Sequence, residues 1–372
     1  MAIAEERAAY VALALTPGIG PARLEALLAH CHSPFGALSA PFAFLCTVPG
    51  ISRAAATAIK ETSPAAGEEA LAKVAALNAR CLLPDDPEWP AALREISDAP
   101  TLLFVVGDTK LLELPAVAIV GSRDHSAYGA EVCHRMATAA AEAGVAVVSG
   151  MARGLDAIAH GAALDAGGPT IGVLGNGLGV IYPAANRALY QRVSDAGLLL
   201  TEFPPGERPG IGAFPRRNRL ISGLARVTVV VEAADASGTL ITVGSALAQG
   251  RDVMAVPGNI TSATSIGTNR LIRDGAEPLL EAADLLAHYP EAMKGKTARP
   301  VQLESPTLVE PPGLSAPEQL LWSRLRDGPK RLDDLIPSLG APVGEVLAAL
   351  SRLELRGLAT QECGIVTVSS KQ

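Results

Sequence analysis

The sequence predicts an α/β protein built on a doubly wound, mostly parallel sheet, with a helical segment before it and a small helix-and-hairpin domain after it. Two observations carry this. Between about residues 116 and 285, six short apolar runs alternate with helix-like runs, the pattern of strands joined by crossover helices. The chain is also 49% hydrophobic but only 3% aromatic. Its core must therefore be Ala, Val, Leu and Ile, which suits strands buried on both faces.

Taken in order, residues 1–80 are Ala-rich and helical in pattern. Two similar pieces stand out there. Leu15-Thr16-Pro17-Gly18-Ile19-Gly20 precedes an amphipathic run through Leu24, Leu27 and Leu28, and Val48-Pro49-Gly50-Ile51 precedes Ala55, Ala58 and Ile59. Each reads as a turn leading into a helix, similar to a helix-hairpin-helix, whose turn offers backbone N–H groups to phosphates. Few basic side chains flank these turns, so a plain helical connector fits as well. Pro84, Pro87, Pro90 and Pro100 mark a connector, and Leu102–Val106 is a candidate extra strand.

The main domain is assigned to 81–288. Its strands are Val117–Gly121, Val145–Ser149, Thr170–Leu174, Leu198–Glu202, Val227–Glu232 and Asp252–Val256. The helices between and after them are Gly129–Ala143, Leu155–Ala166, Asn186–Ala196, Asn218–Ala225, Leu240–Ala248 and Thr268–Asp274. A Pro-, Lys-, Glu- and Thr-rich linker follows over 289–314. Residues 315–372 then read as Pro317–Arg326, Leu332–Leu339 and Val343–Arg356, with a hairpin of Leu358–Glu362 and Ile365–Val368 turning at Cys363-Gly364. That is a winged-helix pattern. The charge on its third helix is balanced (Glu345, Arg352, Glu354, Arg356), so protein docking fits it at least as well as groove reading.

Composition bounds the function. The net charge is −7, so binding to nucleic acid requires a local basic patch. The five cysteines Cys31, Cys46, Cys81, Cys133 and Cys363 are scattered without C-x-x-C spacing, as reduced thiols are. His30-Cys31-His32 is only a weak metal candidate. The N-terminus lacks a basic n-region, and no apolar run approaches the ~18 residues of a membrane span. A cytoplasmic location without membrane partners is the expectation.

The informative residues fall where strands end. Gly121, Ser122 and Arg123 follow the first strand, and Gly150, Arg153 and Gly154 the second. Gly175, Gly177 and Gly179 follow the third, with Tyr182-Pro183 beyond. Glu202 and Glu232 end the fourth and fifth strands, Ser237, Gly238 and Thr239 open the next helix, and Pro257-Gly258 ends the sixth strand. Ligands of such sheets bind at these carboxyl ends. Glycine there lets a ligand approach backbone N–H groups at helix N-termini, and arginine adds bidentate contacts to phosphate. The basic patch is Arg208, Arg216, Arg217, Arg219 and Arg226; one or two of these could instead pair internally with Glu202 or Glu232. Tyr128, Tyr182, Phe203 and Phe214 lie near the same rim, as stacking platforms for bases or as edges of the core.

Catalytic patterns are poor. There is no G-x-S-x-G, no H-E-x-x-H and no Walker A motif, and the glycines at 175, 177 and 179 lack dinucleotide spacing. Asp156 and His160, four apart on a helix, read as a structural pair. No cofactor is expected.

The strings VAIVGSR (117–123), SGMARGLDAIAH (149–160), GVLGNGLGVIYP (172–183), FPRRNRLISGL (214–224), VVVEA (229–233), SGTLIT (237–242) and AVPGN (255–259) resemble the DprA/Smf family in order and spacing. This likeness covers nearly all of 100–285. The resemblance implies a Rossmann-like core between a SAM-like helical domain and a winged-helix-like domain. It also implies a protein that is not an enzyme, that binds single-stranded DNA during natural transformation, loads a RecA-type recombinase and dimerises through the core. It implies that the arginine of G-S-R, here Arg123, lines the DNA pocket. One departure is Ala184, where many members carry a DNA-contacting lysine after Y-P; Arg187 is nearby. The alternative is a nucleotide-processing enzyme similar to the LOG phosphoribohydrolases, acting through Glu202 or Glu232. Their P-G-G-x-G-T-x-x-E signature is met here only by S-G-T-L-I-T.

Overall fold

The computed structural model describes residues 3–235, 237–293, 311, 313–325, 330–362 and 365–368. The chain falls into two units, Met1–Thr297 and Ala298–Gln372.

The first unit begins with helices α1 (Ile3–Ala14), α2 (Pro21–Cys31), α3 (Pro34–Ser39), α4 (Phe42–Leu45), α5 (Arg53–Glu61) and α6 (Pro64–Ala76). Leu13, Leu27, Leu45 and Ile59 are fully buried among them. Both predicted turns are present. Gly18 and Gly50 take positive φ (80° and 78°), and the chain turns through Ile19 N–H to Thr16 O and Ile51 N–H to Val48 O. Ser52 caps α5 by accepting from Ala55 N–H, supplying one of the orphan bonds of a helix start.

The central sheet has nine strands in the order β1-β2-β6-β5-β4-β3-β7-β8-β9. They are β1 (Arg80–Leu82), β2 (Leu103–Gly107), β3 (Ala116–Val120), β4 (Ala146–Ser149), β5 (Thr170–Val173), β6 (Leu198–Thr201), β7 (Val227–Val230), β8 (Asp252–Ala255) and β9 (Glu277–Pro278). Only the β1–β2 and β2–β6 pairs are antiparallel. The connecting helices are α7 (Ala91–Arg94), α8 (Ala127–Ala143), α9 (Leu155–Asp165), α10 (Arg187–Ala196), α11 (Ala213–Leu224), α12 (Thr239–Ala248), α13 (Ile266–Arg273), α14 (Ala282–Ala287) and α15 (Pro290–Met293).

Period-two alternation divides β3 between two cores. Val117 and Ile119 pack with Cys133, Met136, Ala137 and Ala140 of α8 and with Leu155 and Ala159 of α9. Ala118 and Val120 face the opposite side, with Leu220, Ile221 and Leu224 of α11. After β3 the chain steps outward through β4, β5 and β6, then returns to place β7 on the other side of β3. The switch point is thus between β3 and β7.

All six predicted strands form. The sequence reading missed the edges: β1 falls at the connector, and β9 is two residues long. It also started α11 at Asn218, whereas the helix begins at Ala213 with Pro215 in its first turn, where proline costs no hydrogen bond.

The second unit contains α16 (Ala316–Leu325), β10 (Lys330–Arg331), α17 (Leu332–Leu339), α18 (Val343–Leu355), β11 (Ala359–Glu362) and β12 (Ile365–Val368). Its sheet is ordered β10-β12-β11. Leu321, Trp322, Leu335, Leu350 and Leu353 form its core. Arg352 donates to Glu318 (2.7 Å), whose other oxygen accepts from Ser315 N–H. Most of the predicted linker (294–310 and 312) and the turn at Cys363-Gly364 lie outside the described residues. Among the described residues no helix is long and apolar enough to cross a membrane, and no cluster of His, Cys, Asp and Glu could hold a metal ion.

Candidate nucleic-acid interface

The loops after β3, β4 and β5 converge on one open cleft. It is lined by Arg123, Gly150, Met151, Ala152, Arg153, Leu174, Gly175, Asn176, Tyr182, Pro183 and Phe214.

Backbone contacts set its first wall. Gly154, at φ +80°, lies against the Ser122–Arg123 backbone so closely that a Cβ would sit 2.6 Å from both carbonyl oxygens. Leu155 N–H donates to Ser122 O. Ser122 Oγ bonds both the N–H and the carbonyl of Asp124, which turns Arg123 outward. A Cβ on Gly121 would meet Leu155 and the Glu232 backbone. Gly121, Ser122 and Gly154 therefore shape the wall, and Arg123 and Arg153 project from it, both exposed.

The second loop is held under strain. Met151 takes φ +56°, an unusual value for a bulky residue. Asn186 Nδ2 donates to both Met151 O and Ala152 O, each at 3.0 Å, and Asp156 accepts from Ala152 N–H at 3.3 Å. Strain of this kind collects at functional sites.

Aromatic rings form the opposite wall. Phe214 stands on the first turn of α11 and lies flat on Gly175, where a Cβ would be 2.7 Å from the ring. Its centroid is 5.5 Å from that of Tyr182. The Arg123 guanidinium sits 5.8 Å from one part of this ring system, over Phe214. At the base, Asn176 is buried and donates to Gly177 O and Val180 O. Gly177 backs onto Pro204 O too tightly to carry a side chain.

The three arginines of FPRRNRL take different places. Arg216 is exposed, stacks 5.0 Å over Phe203 and reaches Glu202 at 2.9 Å. Arg219 is mostly buried and pairs with Glu202 (2.5 Å) and Asp98 (3.6 Å), so it is an internal ion pair rather than a rim cation. Arg217, read from the sequence as a rim residue, is buried beneath the cleft with 3% of its surface exposed. Its Nη1 donates to Gly150 O and Val173 O. Burial lowers its pKa to about 10, against the opposing pull of Asp156. Burial likewise raises Asp156, countered by Arg217.

Other predicted residues lie apart from the cleft. Ser237, Gly238 and Thr239 open α12 beyond the switch point, where Ser237 Oγ accepts from Thr239 N–H; none of them lines the cleft. Tyr128 donates to Pro257 O instead, and Phe203 is buried under Arg216. Ala184 starts a short 3-10 turn and Arg187 starts α10, exposed but outside the lining. Asp156 and His160 do not pair: His160 Nδ1 bonds Thr170 Oγ1 at 2.7 Å.

The switch-point crevice itself is filled. Glu232 is 1% exposed. Its carboxylate accepts from Ser126 N–H (2.9 Å), Ser126 Oγ (2.6 Å) and Thr264 Oγ1 (2.9 Å). It packs flush against Gly129, where no Cβ would fit. This anion occupies the start of α8, the seat a dinucleotide phosphate takes in related topologies.

Fold and cleft together define a Rossmann-like protein with an open, arginine-bearing cleft at its strand ends and a winged-helix domain in its second unit. The chain belongs to the DNA recombination-mediator protein A family: the model of that family matches residues 80–290, and the DprA winged helix domain model matches residues 305–364. It is 35% identical to the protein Smf of Synechocystis over 77% of this chain and 79% of that one. Identity to the Escherichia coli protein Smf is 39%, over 74% of each chain. The DNA processing protein DprA of Streptococcus pneumoniae is 45% identical over 55% of this chain and 72% of that one. Among solved structures, the X-ray structure of that Streptococcus protein superposes with TM-score 0.67 at 34% identity, over 77% of this chain and 98% of the other. Helicobacter pylori DNA processing protein A, described for its single-stranded DNA binding mode, superposes with TM-score 0.53 at 31% identity, over 57% and 96%.

The sequence pointed to Arg123, Arg153, Tyr182 and Phe214, and the structure gathers these four. It did not point to Asn176 or Asn186, and it read Asp156 only as a structural partner of His160. Asn186 had one signal, its position three residues after the Y-P motif.

Proposed function

We propose that this chain binds single-stranded DNA in the cleft, without catalysis or cofactor. Arg123 and Arg153 contact phosphates, bases stack on Tyr182 and Phe214, and Arg216 extends the path. The observation that carries the reading is the pairing of two exposed arginines, neither in a salt bridge among the described residues, with two aromatic rings across one open cleft. Stacking needs a free base face, which a single strand offers and a duplex hides. The Helicobacter relative is described as a single-strand binder, which supports the same reading here.

Family membership supports the remainder of the proposal: a cytoplasmic protein, dimeric through the Rossmann-like unit, that protects incoming DNA and hands it to a RecA-type recombinase. No feature of the site favours the nucleotide-processing alternative, since Glu232 and Glu202 are both engaged by internal donors. The test is fluorescence anisotropy of a labelled single strand, with duplex as competitor. Single-strand preference that weakens with salt is expected. Equal affinity for duplex, without salt dependence, would remove the proposal.

A further inference from the structure

Arg217 is the least accessible arginine of its motif and nonetheless lies directly beneath the cleft. It occurs on α11 three, four and seven residues before Leu220, Ile221 and Leu224, on the stripe that the helix buries. Three observations show what its guanidinium touches. It bonds the carbonyls that end β4 and β5, at Gly150 and Val173. It lies against Gly150, where a Cβ would be 2.6 Å from Arg217 and 2.7 Å from Asp156. Its carbon is 6.0 Å from the Phe214 centroid, while Arg123 is 5.8 Å from the same ring. Phe214 is three residues before Arg217, so the two side chains share one helix face.

We infer that Arg217 is a positioning residue: it never meets DNA, and it holds the Phe214 ring in the geometry that stacks a base. The inference rests on the single-strand reading of the cleft. A planar guanidinium suits this task and an ammonium does not, because one of its nitrogens holds both strand-end carbonyls while its flat, delocalised group meets the ring.

The inference separates from a phosphate contact by its salt dependence. A phosphate-contacting arginine contributes about 0.7 to the slope of log K against log salt on a single strand; a positioning residue contributes none. It also separates by ligand. Stacking on an aromatic platform acts on bases, so a sugar-phosphate oligomer lacking bases does not report it.

Two measurements test it. In the first, wild-type protein is labelled with an arginine-specific dicarbonyl reagent, with and without oligothymidylate, and modified sites are read by mass spectrometry. Arg123 and Arg153 are expected to react and to be protected by the oligomer, and Arg217 to stay unmodified in both states. In the second, Arg217→Gln, checked by thermal melting, is titrated with oligothymidylate and with an abasic oligomer of equal length. Oligothymidylate affinity is expected to fall about tenfold, abasic affinity to hold, and the salt slope to match wild type. In a Phe214→Leu background the same change is expected to add nothing.

Labelling of Arg217 that DNA suppresses would overturn the inference. So would equal weakening on both oligomers with a shallower slope, or unchanged binding to both. Should Arg217→Gln not fold, Arg217→Lys, which keeps the charge but not the planar group, is titrated on the same two oligomers, and a loss confined to oligothymidylate is again expected. A wild type that binds neither oligomer instead refutes the reading of the cleft, a result distinct from any of these.

Discussion

Removing the Arg123 side chain isolates the charge of the cleft. Arg123 projects from a wall fixed by backbone contacts at Gly154 and Ser122, so Arg123→Ala leaves that wall in place. The loss has two parts. A charge-assisted hydrogen bond to phosphate contributes about 1.5–3 kcal/mol, and the stacking of the guanidinium 5.8 Å over Phe214 adds about 0.5–1 kcal/mol to ring placement. Together they come to about 2–4 kcal/mol, or roughly a 30- to 800-fold weaker complex. The salt slope should become shallower by about 0.7. The assay is anisotropy of a fluorescent single strand at four or more salt concentrations, beside circular dichroism to confirm the fold. Unchanged affinity with an unchanged slope would refute the reasoning, because it would mean that the strand does not cross this wall.

Three further outcomes are expected. Gly154→Ala adds a Cβ 2.6 Å from two carbonyl oxygens at φ +80°; it should lower unfolding stability by about 2–4 kcal/mol in urea, and a loss under 0.5 kcal/mol would contradict the described wall. Glu202→Gln releases Arg216 from its carboxylate and leaves Arg219 less well paired; single-strand affinity should rise about two- to fivefold while the melting temperature falls, and weaker binding would count against Arg216 as part of the path. His160 is buried, and burial lowers its pKa from 6.5 to about 3. The unfolded chain takes up a proton near 6.5 that the folded chain refuses, so this contribution is intact above pH 6.5 and is lost as pH falls toward 3. At pH 4.5 wild type should lose about 2–3 kcal/mol more than His160→Gln does, each relative to its own value at pH 7, and parallel pH profiles of the two proteins would argue against a neutral buried imidazole.

The central strands were legible because burial on both faces forces unbroken apolar runs, as in Val117–Val120 and Leu198–Leu200. Edge strands were not, since Arg80–Leu82 and Glu277–Pro278 are too short for any period to show. In the site, the charged and aromatic residues were legible by type and place. Their accessibility was not. Arg217 was taken for a rim residue because Pro215 hid the first turn of α11; extending the spacing of Leu220, Ile221 and Leu224 back by one turn puts position 217 inside. The strain at Met151 left no trace in the sequence, because it is imposed by Asn186, 35 residues away.

The Glu232 carboxylate has a consequence for selectivity among cellular anions. The crevice where this topology would ordinarily seat a nucleotide phosphate already holds a carboxylate tied down by three donors. A small phosphate compound arriving there meets the Glu232 carboxylate, which already takes the Ser126 N–H and two hydroxyls. On the single-strand reading proposed above, this carboxylate would keep small phosphate compounds out of the switch point and leave the neighbouring cleft to a polymer.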